Sequence, residues 1–292
     1  MRNTIAVMNT KGGVGKSTLA LAMAETLSAK FAKNVLVIDA DAQASVSLML
    51  LSPGNLHRLQ SEGATIVDLL VASVLKSVTI DWHRFVVAGV SDVQEARTVY
   101  LIPSDMQLTL FEREVSKEKA LVRLRASVGS LLEPVRGIFD IVLINCPPGL
   151  SVVTESWLRE ADFHISPVIP DHISIYALEV LSHFKGRSPE MGFAENLGVL
   201  INMKETQSAA DADHERRLRD NADNRCFPQA LPRTQALQHA TQLSAVERPY
   251  DAKYPGESGT ALRVVCEELL NRVAAANAAG TASSGASAPM RG

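Results

Sequence analysis

The sequence predicts an α/β fold, a mostly parallel, doubly wound sheet with helices on both faces. Residues 35–39 form an apolar run with too little polar alternation for a half-exposed strand, the pattern of a strand covered on both sides. Strand-length apolar runs alternate with segments of helical composition along the chain. The first such run leads through a glycine-rich stretch into a helix, the order in which a phosphate-binding loop is built.

Composition sets outer bounds. With 292 residues, 46% of them hydrophobic and 21% charged, the chain is long enough for one sizeable core, expected over residues 1–276. A net charge of −3 gives no global attraction to nucleic acid or anionic membrane, so any DNA contact has to come from a local patch. Cys146, Cys226 and Cys266 are far apart, which argues against a disulfide framework, a zinc site or an iron–sulfur cluster. No apolar run approaches the roughly 18 residues of a membrane span, and Met1-Arg2-Asn3 leads straight into the first strand, so a cytoplasmic location is expected.

Residues 5–8 are the first strand, and residues 19–27 have an apolar residue at every third or fourth position, as in a helix. Between them lies Thr10-Lys11-Gly12-Gly13-Val14-Gly15-Lys16-Ser17-Thr18. The glycines let backbone N–H groups close around an anion, and the helix N-terminus adds partial positive charge. Lys16 supplies a point charge for β/γ-phosphates, and the Ser17 hydroxyl can ligate Mg²⁺. Gly12, Gly13, Val14, Gly15, Lys16, Ser17 and Thr18 are therefore candidate nucleotide-binding residues. The common spacing G-x-x-x-x-G-K-[ST] would place glycine at position 10; Thr10 stands there, and Lys11 adds a second cation. With that lysine the stretch resembles the deviant Walker A family of ATPases, which includes ParA-type partition proteins, MinD and the nitrogenase iron protein. The resemblance implies ATP and Mg²⁺ as ligands and an ATP-dependent sandwich homodimer. In it Lys11 would reach the partner subunit's nucleotide, binding it and assisting catalysis. The alternative for Lys11 is a solvated surface charge.

The second strand ends in Asp39-Ala40-Asp41-Ala42-Gln43. Ligands of open α/β sheets sit beyond the carboxyl ends of strands, so both acids can face the loop at 10–18. D-x-D-x-Q is similar to the second nucleotide motif of partition ATPases, with Ala42 in place of the usual proline. The resemblance implies Asp39 near the Mg²⁺ shell and Asp41 orienting or activating the attacking water. Solvation of a strand end is the other reading.

Residues 44–64 read as helix plus loop, and 65–70 resemble the short T-I-x-D-L-L helix of the partition family. Residues 85–88 are either an added strand or packing. Residues 99–104 are the next strand, followed by a long helix expected from 105 to about 135. Residues 139–148 carry the third motif. The family's matching strand ends in an aspartate before x-Pro-Pro, which holds a Mg²⁺-bound water; this chain has Asn145 there. Asp140 lies ~16 Å away at the other end of the strand and cannot substitute. An amide can hydrogen-bond a water but brings no negative charge to the metal. Nucleotide binding is expected to persist and hydrolysis to be slow, with Asp39 the nearest remaining carboxylate.

Residues 163–170 are a strand, and the helix opening at 174–179 resembles the family's interface region. Residues 197–202 are a buried strand ending in Asn202; the resemblance implies an adenine contact, a capped strand end being the alternative. Pro232-Arg233 resembles the I-P-R segment near the base, making Pro232 a further candidate. Arg216, Arg217 and Arg219 share an expected helix; the resemblance implies non-specific DNA contact through phosphates, against a plain solvated cluster. The closing helix is expected over 258–276. Residues 277–292 are mostly Ala, Gly and Ser, with one each of Asn, Thr, Pro, Met and Arg, a composition expected to be disordered. The tail has neither the bulky apolar residues nor the charge of MinD's membrane helix, so no membrane contact is expected.

The resemblance runs from residue 3 to about 275. It implies an ATP-dependent dimerising switch that positions or partitions DNA or a protein cargo. A ParB-like or cargo adaptor would stimulate a weak ATPase, and DNA binding would bring the protein to the nucleoid. Two other readings stand beside it: an ATP-binding cargo module with negligible turnover, and an ATP-dependent small-molecule ligase or kinase, for which no acceptor motif is recognisable.

Overall fold

The apolar runs assemble into one seven-stranded sheet in the computed structural model, which describes residues 1–79, 81–116, 118–205 and 207–285. The strands are β1 (Thr4–Val7), β2 (Val35–Asp39), β3 (Val87–Ala88), β4 (Val99–Ile102), β5 (Ile141–Asn145), β6 (Phe163–Val168) and β7 (Glu195–Ile201), in the order β3-β4-β2-β5-β1-β6-β7. Every pairing is parallel except β3 with β4. All residues of β1, β2 and β5 are buried, as expected of central parallel strands covered on both faces.

Twelve α-helices connect and cover the strands among the described residues. They are α1 (Lys16–Phe31), α2 (Ser45–Leu50), α3 (Pro53–Ser61), α4 (Ile66–Leu70), α5 (Leu108–Val115) and α6 (Glu118–Arg136), then α7 (Val152–Glu160), α8 (His172–Arg187), α9 (Ala209–Asp220), α10 (Gln235–His239), α11 (Tyr250–Lys253) and α12 (Gly256–Gly285). Strand side chains alternate between faces. Ile5, Val7, Val35, Val37 and Leu143 pack toward α1 and α12, whereas Ala6, Leu36, Ile38, Val142 and Ile144 pack toward α6 and α7. The sheet register pairs Asp39 with Asn145 and Asn145 with Val7, so the ends of β2, β5 and β1 form one row.

Three expectations are corrected or settled. Of residues 85–88, Val87 and Ala88 form an added edge strand, β3, antiparallel to β4, whereas Phe85 ends a 3-10 turn and packs in the core. The long helix expected from 105 to about 135 is two helices, because α5 ends where the Ser116 hydroxyl and amide both donate to Glu112 O. The closing helix runs past the expected boundary at 276 as far as Gly285, so the disordered tail expected from 277 is helical over its first nine positions. Alanine favours helix, and Asn277 ties the extension to the chain start: its Oδ1 accepts from Arg2 N at 2.9 Å, and its Nδ2 donates to Arg2 O at 2.8 Å. Residues 286–292 of the expected tail lie outside the described residues.

Behind α1, a buried ion network pins two loops to the helix. Lys253 Nζ lies 2.8 Å from Glu25 Oε1 and 2.5 Å from Asp92 Oδ1, with both Lys253 and Glu25 side chains fully buried. Tyr254 and Ser91 donate their hydroxyls to Glu25, and Arg248 pairs with Asp92 at 3.0 Å. Two cations balance two carboxylates. Removing the ammonium leaves buried negative charge uncompensated, so Lys253→Ala is expected to lower the unfolding free energy by about 3–5 kcal/mol. Arg58→Ala, which breaks an exposed pair with Glu62, is expected to cost less than about 1 kcal/mol. Urea denaturation of the two variants measures the difference.

Candidate functional site

The phosphate loop is shaped by backbone that side chains cannot follow. Gly13 and Gly15 have φ of 76° and 85°, in the left-handed region. A Cβ on Gly15 would meet Asn202 Nδ2 at 2.5 Å and Met203 Cε at 2.8 Å. Gly15 also caps α1 without a side-chain acceptor, which leaves the first-turn N–H groups directed into the loop. Lys16 is buried, with Nζ 3.5 Å from Lys11 O. Burial lowers its pKa, opposed by the nearby Asp41 carboxylate. Ser17 follows Lys16 on the first turn of the helix, and its hydroxyl has no partner among the described residues.

Asn9 braces the loop from behind. Its Oδ1 accepts from Lys11 N at 2.9 Å and its Nδ2 donates to Pro167 O at 2.8 Å. Thr10 donates its hydroxyl to Ala177 O on α8 at 3.0 Å. Lys11 is not the plain solvated charge considered from the sequence. Its Nζ donates to both Asp171 oxygens, at 2.8 and 3.1 Å, and to Ser174 Oγ at 3.0 Å. Burial pushes the Asp171 carboxyl up, but the bonds from Lys11 and Ser174 prevail and hold it below the usual carboxylate range. Within the chain, Lys11 is anchored at the N-terminus of α8.

The row of strand ends lies beside the loop. Asp39 is 0% exposed: its Oδ2 accepts from Ser47 N at 2.9 Å and Ser47 Oγ at 2.7 Å, and its Oδ1 accepts from Asn145 Nδ2 at 2.9 Å. Burial raises its pKa to about 6, opposed by the bonds from Asn145 and Ser47 and reinforced by Asp41. Asn145 Oδ1 is buried without a partner. The amide orientation follows from the neighbour, since an ionised carboxylate only accepts. Asp41 is nearly buried, with Oδ1 accepting from Gln43 N at 3.0 Å. Cys146 is buried directly behind, and burial pushes its thiol up to about 12, an unreactive state.

Beside α1, an apolar slot is lined by Thr18, Leu19, Asn202, Met203, Pro232 and Leu237, among others. Asn202 Nδ2 donates to Val14 O at 2.9 Å, so its amide nitrogen belongs to the loop and its Oδ1 remains for a ligand. Met203 holds φ 53°, a strained left-handed value for a non-glycine residue, and its side chain reaches Gly15. The structure thus brings together all the loop residues, Asp39, Asp41, Asn145, Asn202 and Pro232. It leaves the arginine cluster of α9 apart and mostly neutralised. Arg216 pairs with Asp213; Arg219 pairs with Glu215 and donates to the Phe227 and Pro228 carbonyls.

Sequence reasoning missed Asp171, Ser174 and Ser47. The first two carried a usable signal: Asp171 caps α8 by accepting from Ser174 N at 2.7 Å, a D-x-x-S helix start.

A family model described as an AAA domain matches residues 2–188. The chromosome partitioning protein ParA of Caulobacter vibrioides is 27% identical over 276 residues, covering 92% of this chain and 94% of that protein. Among solved structures, apo McdA of Cyanothece superposes with a TM-score of 0.72 at 20% identity, covering 92% of this chain and 100% of that one. Cobyrinic acid a,c-diamide synthase of Mycobacterium smegmatis, with a bound ATP analog and magnesium, superposes with a TM-score of 0.72 at 19% identity, covering 94% and 96%. At such identities the structural likeness speaks for the fold alone.

The raised pKa of Asp39 makes stability depend on pH. Near pH 4 and below, the carboxyl is protonated in the folded protein and increasingly so in the unfolded chain, and burial carries no charge penalty. As pH rises from the unfolded value of 3.8 through about 6, the group ionises inside the protein at a cost. The ligand-free protein is expected to lose up to about 3 kcal/mol through this group over that window. Asp39→Asn should flatten the dependence, as read from urea midpoints between pH 4 and 7.

Proposed function

This chain belongs to the AAA domain family as a ParA-type member, and we propose that it works as an ATP-driven positioning switch on Mg²⁺-bound ATP. One arrangement carries the reading. The sheet register sets Asp39 and Asn145 side by side at the ends of β2 and β5, next to the lysine and serine that open α1.

The residues present fit a hydrated cation. Asn145 Oδ1 is a buried acceptor without a partner, suited to a metal-bound water, and the Ser17 hydroxyl is free to ligate. Among the described residues no cluster of three metal-ligating side chains occurs, so most ligands would come from the nucleotide and water. Bound Mg²⁺ would supply charge neutralisation at the β/γ-phosphates. The chain's own groups do the rest. The α1 N-terminus and Lys16 hold the phosphates, Asp41 accepts a proton-side contact from the attacking water, and Asn202 Oδ1 with Pro232 frames the base. Residues 1–276 act as one ATPase domain in this reading.

Lys11 gives the switch its two states. Paired with Asp171 it closes within the protomer; released to a partner subunit's triphosphate it closes a homodimer. The dimer then binds DNA without sequence preference, and an adaptor protein stimulates hydrolysis to release it. Within the α9 cluster, Arg217 is the exposed arginine left without a protein partner among the described residues, so it is the one available to phosphates. Asn145 favours a second reading, in which the same ATP-bound dimer serves as a cargo scaffold with negligible turnover.

Two experiments separate these. Asn145→Asp is expected to raise single-turnover ATP hydrolysis by about tenfold or more, measured with and without DNA; an unchanged rate would falsify the assignment of slow turnover to this amide. Light scattering should show the mass doubling with ATP in the native protein and not in Lys11→Ala.

A further inference from the structure

On the side of the sheet away from α1, α8 and α9 leave a groove of about 900 Å³ over β6 and β7. Its floor departs from the rest of the sheet. Where the central strands place valine, isoleucine and leucine under their helices, β6 places His164 and Ser166, 3% and 2% exposed. Ser166 lines the groove, and its hydroxyl has no hydrogen-bond partner among the described residues. The β6–β7 register slips at His164/Ile165, opposite Asn196 and Gly198. Such a bulge interrupts regular pairing and re-aims side chains.

Lys185 stands over this floor. Its Nζ donates to Ala194 O at 2.9 Å and lies 3.5 Å from His164 Nδ1, and among the described residues no carboxylate is paired with it. Burial lowers its pKa to about 8, and burial holds His164 neutral, its pKa lowered to about 3. A half-buried ammonium with one carbonyl for company has donors to spare. Leu178 and Val199 give the same groove apolar surface. Two carboxylates, Glu179 and Asp223, also line it, against Lys185 and Arg217. The formal charges of the four cancel, which leaves no excess of positive charge to draw in a polyanion.

We propose that this groove is a second binding site, for a small monoanionic organic acid whose carboxylate is held by Lys185 and Ser166 and whose apolar body lies on Leu178 and Val199. The volume is that of a small-molecule site, and the combination of apolar lining with a few convergent polar groups is the usual build of one. The site is separate from the phosphate loop: none of its lining residues lies in the loop or in the base slot.

Phenylacetate is a suitable probe, with its neutral methyl ester and the trianion citrate as comparators. Its titration into the full-length protein, followed by NMR of the histidine ring signals, is expected to shift His164 and His183 saturably. The ester and citrate should give no saturable shift. Affinity should fall about tenfold or more in Lys185→Met and in Ser166→Val, the loss of one charge-assisted hydrogen bond, and stay unchanged in Lys16→Ala. The two variants guard against a folding defect in either. Absence of saturation, equal binding of the ester, or loss of binding in Lys16→Ala would each overturn the proposal; the last would place the probe in the phosphate loop.

Discussion

Asp39 has no exposed surface, and three donors keep its charge tolerable there: the Ser47 amide and hydroxyl and the Asn145 side chain. The rest of the site is arranged around that carboxylate. Ser47 Oγ is itself fixed by accepting from Ser104 N at 2.9 Å, which ties α2 to the end of β4. Parallel pairing sets Asn145 directly beside Asp39, and an aspartate at 145 would put two carboxylates at hydrogen-bond distance. Such a pair needs a shared proton or a cation between its members. The amide removes that requirement. The remaining amide acceptor, Asn145 Oδ1, is buried without a partner among the described residues.

The same economy of charge appears at Lys11. Its ammonium and the Asp171 carboxylate are both about a quarter to a third exposed, so their pairing is partly screened and contributes only modestly to stability. An interaction of that strength is suited to replacement by a phosphate, which offers more negative charge. The pairing also joins two elements that the sheet alone would leave independent. Thr10 and Lys11 both grip α8, through Ala177 O, Asp171 and Ser174. Movement of the loop lysine therefore bears on α8, which is one wall of the groove holding Lys185.

How far the sequence reveals this depends on whether a feature is local. The phosphate loop is legible because its glycines answer a backbone demand: Gly13 and Gly15 take positive φ, and Gly15 has no room for a side chain. The buried strands are legible because unbroken apolar runs have few other uses in a chain of this composition. Asp39, Asp41 and Asn145 could be placed near the loop because parallel strands end on one side of the sheet. Partners of charged groups were not legible. Asp171 lies 160 positions from Lys11, and nothing in either neighbourhood specifies the pairing. Likewise Arg216 and Arg219 read as a basic cluster along the chain, yet Asp213 and Glu215 on the same helix take up their charge. The extension of α12 was hidden for another reason. Composition described a segment unable to bury surface, but Asn277 needs only two hydrogen bonds to Arg2 to continue a helix already formed.

That neutralisation bears on how a protein of net charge −3 would engage DNA. Phosphate contacts contribute nearly additively, and each released counterion adds to the salt dependence. With Arg216 and Arg219 already paired, the α9 cluster of one copy offers Arg217 alone among its arginines, too little to hold a polyanion by itself. Joining two protomers changes the arithmetic, because the second set of contacts forms at the high effective concentration set by the first. Weak protomer surfaces are then an advantage in the proposed switch. In that proposal DNA binding would follow the ATP-bound dimer and lapse when it opens, without any rearrangement of the arginines themselves. A more basic surface would hold DNA in both states and erase the difference on which positioning depends.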